Sequence, residues 1–349
     1  MAQRSANIIG LGLIGGSIAA RLTELGWSVS GSDPHPGRPE AAVERGIVSK
    51  VGVDRDAEVT FVAVPVLQLA DEVARALETT TGVVTDVGSV KGPLVAGIAD
   101  SRFLGGHPMA GSELDGLDGA DPTLFEGATW ILTPTADTPD AVFALVAGIV
   151  AQLSANVLAL SAPDHDRLVA VVSHIPHLTA ATLMSLADQR SEEHASLLRM
   201  AAGGFRDMTR IASSKPGIWL DICRANRDAI VATLDDFIDD LGELRNTVAS
   251  GDSGGLEKLL LRAREARANL PARIRSLEDV VEIRIPIPDR PGSAAEIFTL
   301  AAALNVNIPN FEVVHSAEGD RGVAVVSVDK DQAELFRGGL IARGFKPGR

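Results

Sequence analysis

Gly10-Leu11-Gly12-Leu13-Ile14-Gly15 has the spacing of a dinucleotide-binding turn, and Asp33 follows it by about 20 residues. In such a turn the first glycine permits a tight bend, the second lets the backbone approach a pyrophosphate, and the third allows close helix packing. The following helix, expected over 17–25, would offer free N–H groups and the positive end of its dipole to phosphates. A carboxylate at Asp33 can accept hydrogen bonds from the adenosine ribose hydroxyls and would repel a 2′-phosphate, which favours NAD over NADP. Arg38, close by and preceded by Pro34 and Pro36, reads as a solvated loop charge. Farther along, Gly106-His107-Pro-Met-Ala-Gly-Ser112-Glu113 places one histidine just past the short apolar segment Phe103-Leu104. A histidine there could take a proton while a nicotinamide takes a hydride.

Other polar residues accompany these. Ligands of open parallel sheets collect outside the carboxyl ends of the strands, and Gly10, Asp33, Pro65, Ser89 and His107 fall at successive expected strand ends. Taken singly, Asp86-Val-Gly-Ser89-Val-Lys91 could be an N-cap and turn or a ligand contact. His107 could equally be a capping or core histidine. A second set comprises His165, Ser173-His174-Ile-Pro-His177 and Gly203-Gly-Phe-Arg206-Asp207-Met-Thr-Arg210. His174 and His177 have a spacing that could suit a metal, but no acidic or cysteine partner stands at useful spacing, so no metal is expected. Arg206, Asp207 and Arg210 could be an exposed ion cluster, the usual fate of such residues, although the preceding glycines argue for a turn facing something.

The elements that must position these residues are legible as changes of period. Up to about residue 160, β-branched runs alternate with Ala/Leu-rich stretches, the pattern of a parallel sheet with crossover helices. The expected strands are 7–9, 28–32, 59–64, 82–86, 102–104, 129–132 and 156–160. From 163 to about 278 apolar residues recur at helical spacing, as in Leu234-Phe237-Ile238-Leu241. Gly251-Asp-Ser-Gly-Gly255 reads as a loop between helices. Beyond Asp279 alternation returns at Val281-Ile283-Ile285-Ile287, opening a β-α-β-β-α module with a last strand expected at 344–346. Three domains are expected: 1–162, 163–278 and 279–349.

A chain of 349 residues is long enough for such a set of cores. With no tyrosine and 4% aromatic residues, those cores must be built mainly from Ala, Val, Leu and Ile. The net charge of −14 argues against a nucleic-acid binder and against adhesion to an anionic membrane surface. The one cysteine, Cys223, cannot form an intramolecular disulfide, and a reducing cytoplasmic setting is expected. The opening residues leave no room for a signal peptide. The apolar run 141–160, interrupted by Gln152, Ser154 and Asn156, reads as a buried helix and strand rather than a membrane span.

Five stretches, Gly10–Ser17, Thr85–Lys91, Gly106–Glu113, Ser173–His177 and Gly203–Ala212, in this order closely resemble the prephenate/arogenate dehydrogenases of tyrosine biosynthesis. The resemblance runs from residue 6 to about 278, and the remainder resembles an ACT domain, a small ferredoxin-like unit that often senses amino acids. It implies a Rossmann-type NAD-binding domain, an all-α substrate-binding and dimerisation domain and a regulatory tail. The implied reaction is oxidative decarboxylation of prephenate, or of arogenate as the alternative. By resemblance, His107 accepts the ring hydroxyl's proton, for which an ordinary imidazole pKa of about 6.5 suffices near neutrality. Ser89 would orient that hydroxyl and His107, and Arg210 would hold the ring carboxylate. His177 would lie near the substrate side chain, Ser112 would be a further substrate contact, and Glu113 and Asp207 would form a charged rim with Arg210. The cofactor contacts implied are Gly10 to Gly15, Asp33, Val64, Pro65 and Asp86. Asp289-Arg290-Pro291-Gly292 resembles the turn at which ACT domains take an amino-acid effector, and a homodimer is implied because helical domains of this family interlock. Two other readings are a β-hydroxyacid dehydrogenase, whose catalytic lysine neither Lys215 nor Lys258 matches in setting, and a non-catalytic NAD and amino-acid sensor.

Overall fold

The computed structural model describes residues 3–112, 114, 116–191, 194, 196–269, 280–288, 293–308, 310–315 and 321–348. The chain forms two compact units, Met1–Glu265 and Ala266–Arg349. The first begins with β1 (Ser5–Ile9), α1 (Leu13–Glu24), β2 (Ser28–Ser32), α2 (Arg38–Glu44) and β3 (Lys50–Val51). It continues through β4 (Val59–Val62), α3 (Leu69–Thr79), β5 (Val83–Asp86), α4 (Gly92–Gly97) and β6 (Phe103–Pro108). β7 (Thr129–Thr133), α5 (Asp140–Gln152) and β8 (Asn156–Ala159) complete the sheet.

These eight strands lie in the order β3-β2-β1-β4-β5-β6-β7-β8. Strand order reverses beside β1, where a doubly wound sheet opens its crevice. The expected all-parallel arrangement is corrected at one place: β7 runs antiparallel to β6, with His107 opposite Ile131. The short edge strand β3 was not anticipated, since Lys50-Val51 shows no alternation to read.

β6 also runs farther than expected, through Gly105, Gly106 and His107. Glycines are poor strand formers by propensity, yet a Cβ at Gly106 would stand 2.7 Å from the Asp86 carbonyl oxygen. Close approach of β5, rather than local preference, requires glycine there. His107 is therefore held inside a paired strand rather than in a loop.

The core under the sheet is mostly aliphatic, as composition requires, but its largest member is Trp130, fully buried with Phe125 at 5.1 Å and Phe61 at 6.3 Å between ring centroids. Burying each such ring contributes roughly 1.5–3 kcal/mol, enough for a few aromatics to matter among many alanines.

After β8 the chain becomes helical: α6 (Ala162–Val169), a π turn (Ala170–His174), α7 (Ile175–Ser191), α8 (Gly203–Thr209), α9 (Pro216–Ala225), α10 (Arg227–Ser250) and α11 (Ser253–Ala268). Ser161 caps α6 by accepting the Asp164 N–H at 3.2 Å. The π turn precedes Pro176, which has no N–H to return to the previous helical turn, so the ladder widens there without breaking. Gly251, at φ +68°, ends α10 where a loop was expected. The run Ala162–Ser191 is long and apolar enough to cross a membrane by length and composition alone, and a third of its most apolar window is buried.

The second unit contains β9 (Val280–Pro288), α12 (Ser293–Leu304), β10 (Asn310–His315), β11 (Arg321–Asp329) and α13 (Lys330–Ala342). Its strands form an antiparallel sheet in the order β10-β11-β9. Ile283, Ile285 and Ile287 alternate inward against Val326, Phe336 and Leu340, as their period of two dictates. The last strand expected at 344–346 does not form; past α13 the N–H groups of Arg343, Gly344 and Phe345 return to carbonyls at the helix end, and Gly348 N–H donates to the Arg284 carbonyl at 2.7 Å.

Candidate active site

The sheet order sets the expected strand-end residues side by side. Along β2-β1-β4-β5-β6 the carboxyl ends carry, in turn, Asp33, Gly10, Val64 with Pro65, Ser89 and His107. Four interstrand steps make this line about 19 Å long.

At its first end the glycine turn has the required shape. Gly10 sits at φ +95°, and a Cβ on it would lie 2.3 Å from the Ala63 carbonyl oxygen. A Cβ on Gly15 would lie 1.9 Å from the Gly10 oxygen, so helix and turn touch backbone to backbone, whereas the space over Gly12 is open. Gly12 begins α1 and no side chain caps it, which leaves the first N–H groups of the helix for an anion. Asp33 accepts the Leu11 N–H at 2.7 Å, tying the end of β2 to this turn. Its other partners are the His35 N–H at 2.8 Å and Arg38 at 3.0 Å. Arg38 is thus no free loop charge; it opens α2 in an ion pair with a nearly buried carboxylate. The residues present fit a dinucleotide: an open glycine, an uncapped helix and an acid at the ribose position.

Asp86, expected among the cofactor contacts, is corrected to an internal anchor. It is fully buried, and its oxygens accept from the Gly88 N–H at 2.8 Å, the Gly106 N–H at 3.1 Å and the ammonium of Lys91. Lys91, also fully buried, donates in addition to the Gly106 carbonyl at 2.8 Å. The pair clamps β5 to the residue before His107.

At the other end of the line, His107 Nδ1 lies 2.8 Å from His165 Nε2, and His165 Nδ1 lies 2.8 Å from Asp166 Oδ1. Asp166 accepts the Lys91 N–H at 2.8 Å and the Gly92 N–H at 2.7 Å. Its backbone carbonyl accepts from Asn226 at 2.9 Å. Burial, and then the fields of His165, Lys91 and His174, hold the His107 imidazole well below its ordinary range. The expectation of an unperturbed 6.5 is corrected accordingly: the ring is neutral over a wider range of pH than its free side chain would be. His165 belongs to the polar set expected from sequence; Asp166 was missed. Adjacent helical residues diverge by 100°, so nothing in the His-Asp dipeptide signals that the two side chains bond.

Burial holds His174 down to about 4 and pushes His177 down as well. His177 stacks on Trp219 with ring centroids 3.5 Å apart and planes 6° from parallel. His174 Nε2 and His177 Nδ1 are buried without a hydrogen-bond partner among the described residues. Arg210 begins a 3-10 turn (Arg210–Ser213) that packs on α7, the helix of His177. Ser89 is half-buried and is not hydrogen-bonded to His107; Asp207 is exposed on α8 and makes no ion pair with Arg210; Ser112 is exposed and accepts the Leu114 N–H at 3.1 Å. Glu113 and the Asp289–Gly292 turn lie outside the described residues.

Residues 18–159 match the family model for the prephenate dehydrogenase nucleotide-binding domain, and 161–262 match that for the prephenate dehydrogenase dimerization domain. The chain is 33% identical over 341 residues to the prephenate dehydrogenase of Bacillus subtilis, covering 93% of this chain and 92% of that one. The chain belongs to the prephenate dehydrogenase family. Among solved structures of that kind, Aquifex aeolicus prephenate dehydrogenase in complex with hydroxyphenyl propionate and NAD+ is 30% identical with a TM-score of 0.72, covering 77% of this chain and 98% of that one. Synechocystis arogenate dehydrogenase is 28% identical with a TM-score of 0.68, covering 76% and 99%. Prephenate dehydrogenase architecture thus accounts for the eight-stranded, mostly parallel sheet and the helices after it.

Proposed function

We propose that this chain catalyses the NAD-dependent oxidative decarboxylation of prephenate to 4-hydroxyphenylpyruvate in L-tyrosine biosynthesis. The observation that carries this reading is His107, a neutral imidazole at the carboxyl end of β6, in line with the glycine turn of β1. Residues 1–162 would hold the cofactor, with Asp33 at the adenosine ribose, Gly10 to Gly15 and the start of α1 at the pyrophosphate, and Val64 and Pro65 beside the nicotinamide. Bound NAD supplies the hydride acceptor.

His107 takes the ring hydroxyl's proton as hydride leaves the carbon bearing it. The ring carboxylate then departs as carbon dioxide, its bonding pair completes the aromatic ring, and His107 returns the proton to the same oxygen. Ser89 orients the hydroxyl. Arg210, a planar two-pronged donor, orients the ring carboxylate without clamping it, since that charge is lost in the reaction. His177, flat against Trp219, borders the substrate side chain, with Ser112 as a further substrate contact.

The helices of 163–278 would pair two subunits. Val171, Val172, Leu220 and Ile238 are more than half exposed, an apolar surface that a homodimer would cover. Cys223 is a free thiol, in keeping with a cytoplasmic enzyme. The β-α-β-β-α order of the second unit, with β9 beside β11, is in keeping with an ACT module, at which an amino-acid effector would bind. Measuring NADH formation with prephenate and with arogenate, each with and without tyrosine, tests the whole reading. Turnover of prephenate is the expected result; turnover of arogenate alone would replace the substrate.

A further inference from the structure

Asp166 and His165 take no part in the chemistry derived above, yet both are buried and both are bonded in series to His107. The direction of each bond follows from the donors available. Asp166 accepts two backbone N–H groups from Lys91 and Gly92, which leaves it a carboxylate acceptor toward His165. His165 must then carry its proton on Nδ1, and its Nε2 can only accept. His107 Nδ1 is therefore the donor across the 2.8 Å contact, and His107 Nε2 is left as the lone pair. Among the described residues that nitrogen has no partner.

We propose that Asp166 and His165 are positioning residues that hold His107 in its Nδ1-protonated tautomer, so that Nε2 is the atom that accepts the substrate proton. The proposal rests on the reading of His107 as proton acceptor. It also assigns a reason for the surrounding construction. Lys91 holds Asp166 through its backbone N–H and, through its ammonium, the carbonyl of Gly106 beside His107, so one buried residue fixes both ends of the chain of bonds. When His107 becomes an imidazolium, the Asp166 carboxylate offsets its charge through His165 without itself taking the proton. A dyad in which the wrong nitrogen carried the proton would keep its shape and lose its base.

The test reads the tautomer directly. In full-length protein with 15N-labelled histidine, two-bond couplings report which ring nitrogen is protonated, and the His107 signals are identified by their loss in His107→Asn. Wild type is expected to show His107 protonated on Nδ1; protonation on Nε2 overturns the proposal. In His165→Phe the Nδ1 preference should vanish, kcat should fall on the order of 10²-fold and NAD affinity by calorimetry should stay near wild type. His165→Gln, whose carbonyl can accept near the position of the lost Nε2, should recover part of kcat and of the tautomer preference. Unchanged kcat in both His165 variants overturns the positioning role. Full activity of His107→Asn beside an Nδ1-protonated wild type would refute the acceptor reading instead, and with it the catalytic half of this proposal.

Discussion

Gly92 and Asp166 meet so closely that a Cβ on the glycine would stand 2.7 Å from Asp166 Oδ2, the oxygen that accepts the Gly92 N–H. The contact joins the start of α4 to α6 and seats the carboxylate behind His165. Gly92→Ala must displace that carboxylate, since its oxygen is the atom the added Cβ meets. The variant is expected to lose roughly 1–3 kcal/mol of stability, as overpacked sites do, and to lose kcat while keeping NAD affinity. Thermal unfolding, initial rates and calorimetry on one preparation check the three parts, and unchanged kcat would uncouple Asp166 from the reaction.

Lys91 and Asp86 form a pair with no exposed surface. Desolvation pushes the Lys91 ammonium down, and the Asp86 carboxylate opposes that. Lys91→Met leaves Asp86 a buried charge without its counter-ion and should cost about 3–5 kcal/mol. Adding Asp86→Asn to it removes that charge and should return part of the loss. Chemical denaturation of the single and double variants reads the difference.

For His107→Asn, NAD affinity should stay near wild type while kcat falls roughly 10²–10⁴-fold, the usual contribution of a placed proton acceptor. Calorimetric titration and initial rates separate the two, and retained turnover would contradict the role given to His107.

Arg210→Gln is expected to act on KM far more than on kcat, because in the proposed role its guanidinium orients a carboxylate whose charge disappears in the reaction. A loss confined to kcat would move Arg210 into the chemical step.

The pH dependence follows from the neutral histidines. His107 is faced by His165, Lys91 and His174, with Asp166 behind His165 and Asp86 behind Lys91. Its lowered pKa means that kcat/KM should be level across neutrality and fall only well below pH 6.5, the ordinary value being about that. Stability has the same sign. In the unfolded chain His174 binds a proton below about pH 6.5, whereas in the fold it resists until about 4. The unfolded state therefore holds more protons between those values, and stability falls as pH drops through that window. Melting temperatures taken from pH 8 to pH 4 should be level and then decline; an acid-side rise would contradict the neutral burial.

Much of the nucleotide-binding half was legible because its signals are local. The turn at Gly10 to Gly15 depends on what glycine alone permits, and strands such as Val59–Val62 read as short β-branched apolar runs. Family membership was legible too, since five short motifs keep their order. The antiparallel β7 was not legible, because its alternation is the same in either direction. Nor was the true length of β6, whose glycines argue locally against a strand and are required only by the approach of Asp86.

Sequence by itself determined which residues could carry a proton, a carboxylate or a pyrophosphate, since those capacities belong to side chains and to glycine. Tertiary structure decided which of them are available. It withdrew Asp86 into a buried pair with Lys91, set Arg38 against Asp33, lowered the pKa of His107 and placed Asp166 behind it through His165. Burial and hydrogen-bond direction are relations between residues far apart in the chain, such as the 58 positions from His107 to His165, and they exist only once the sheet and α6 have packed.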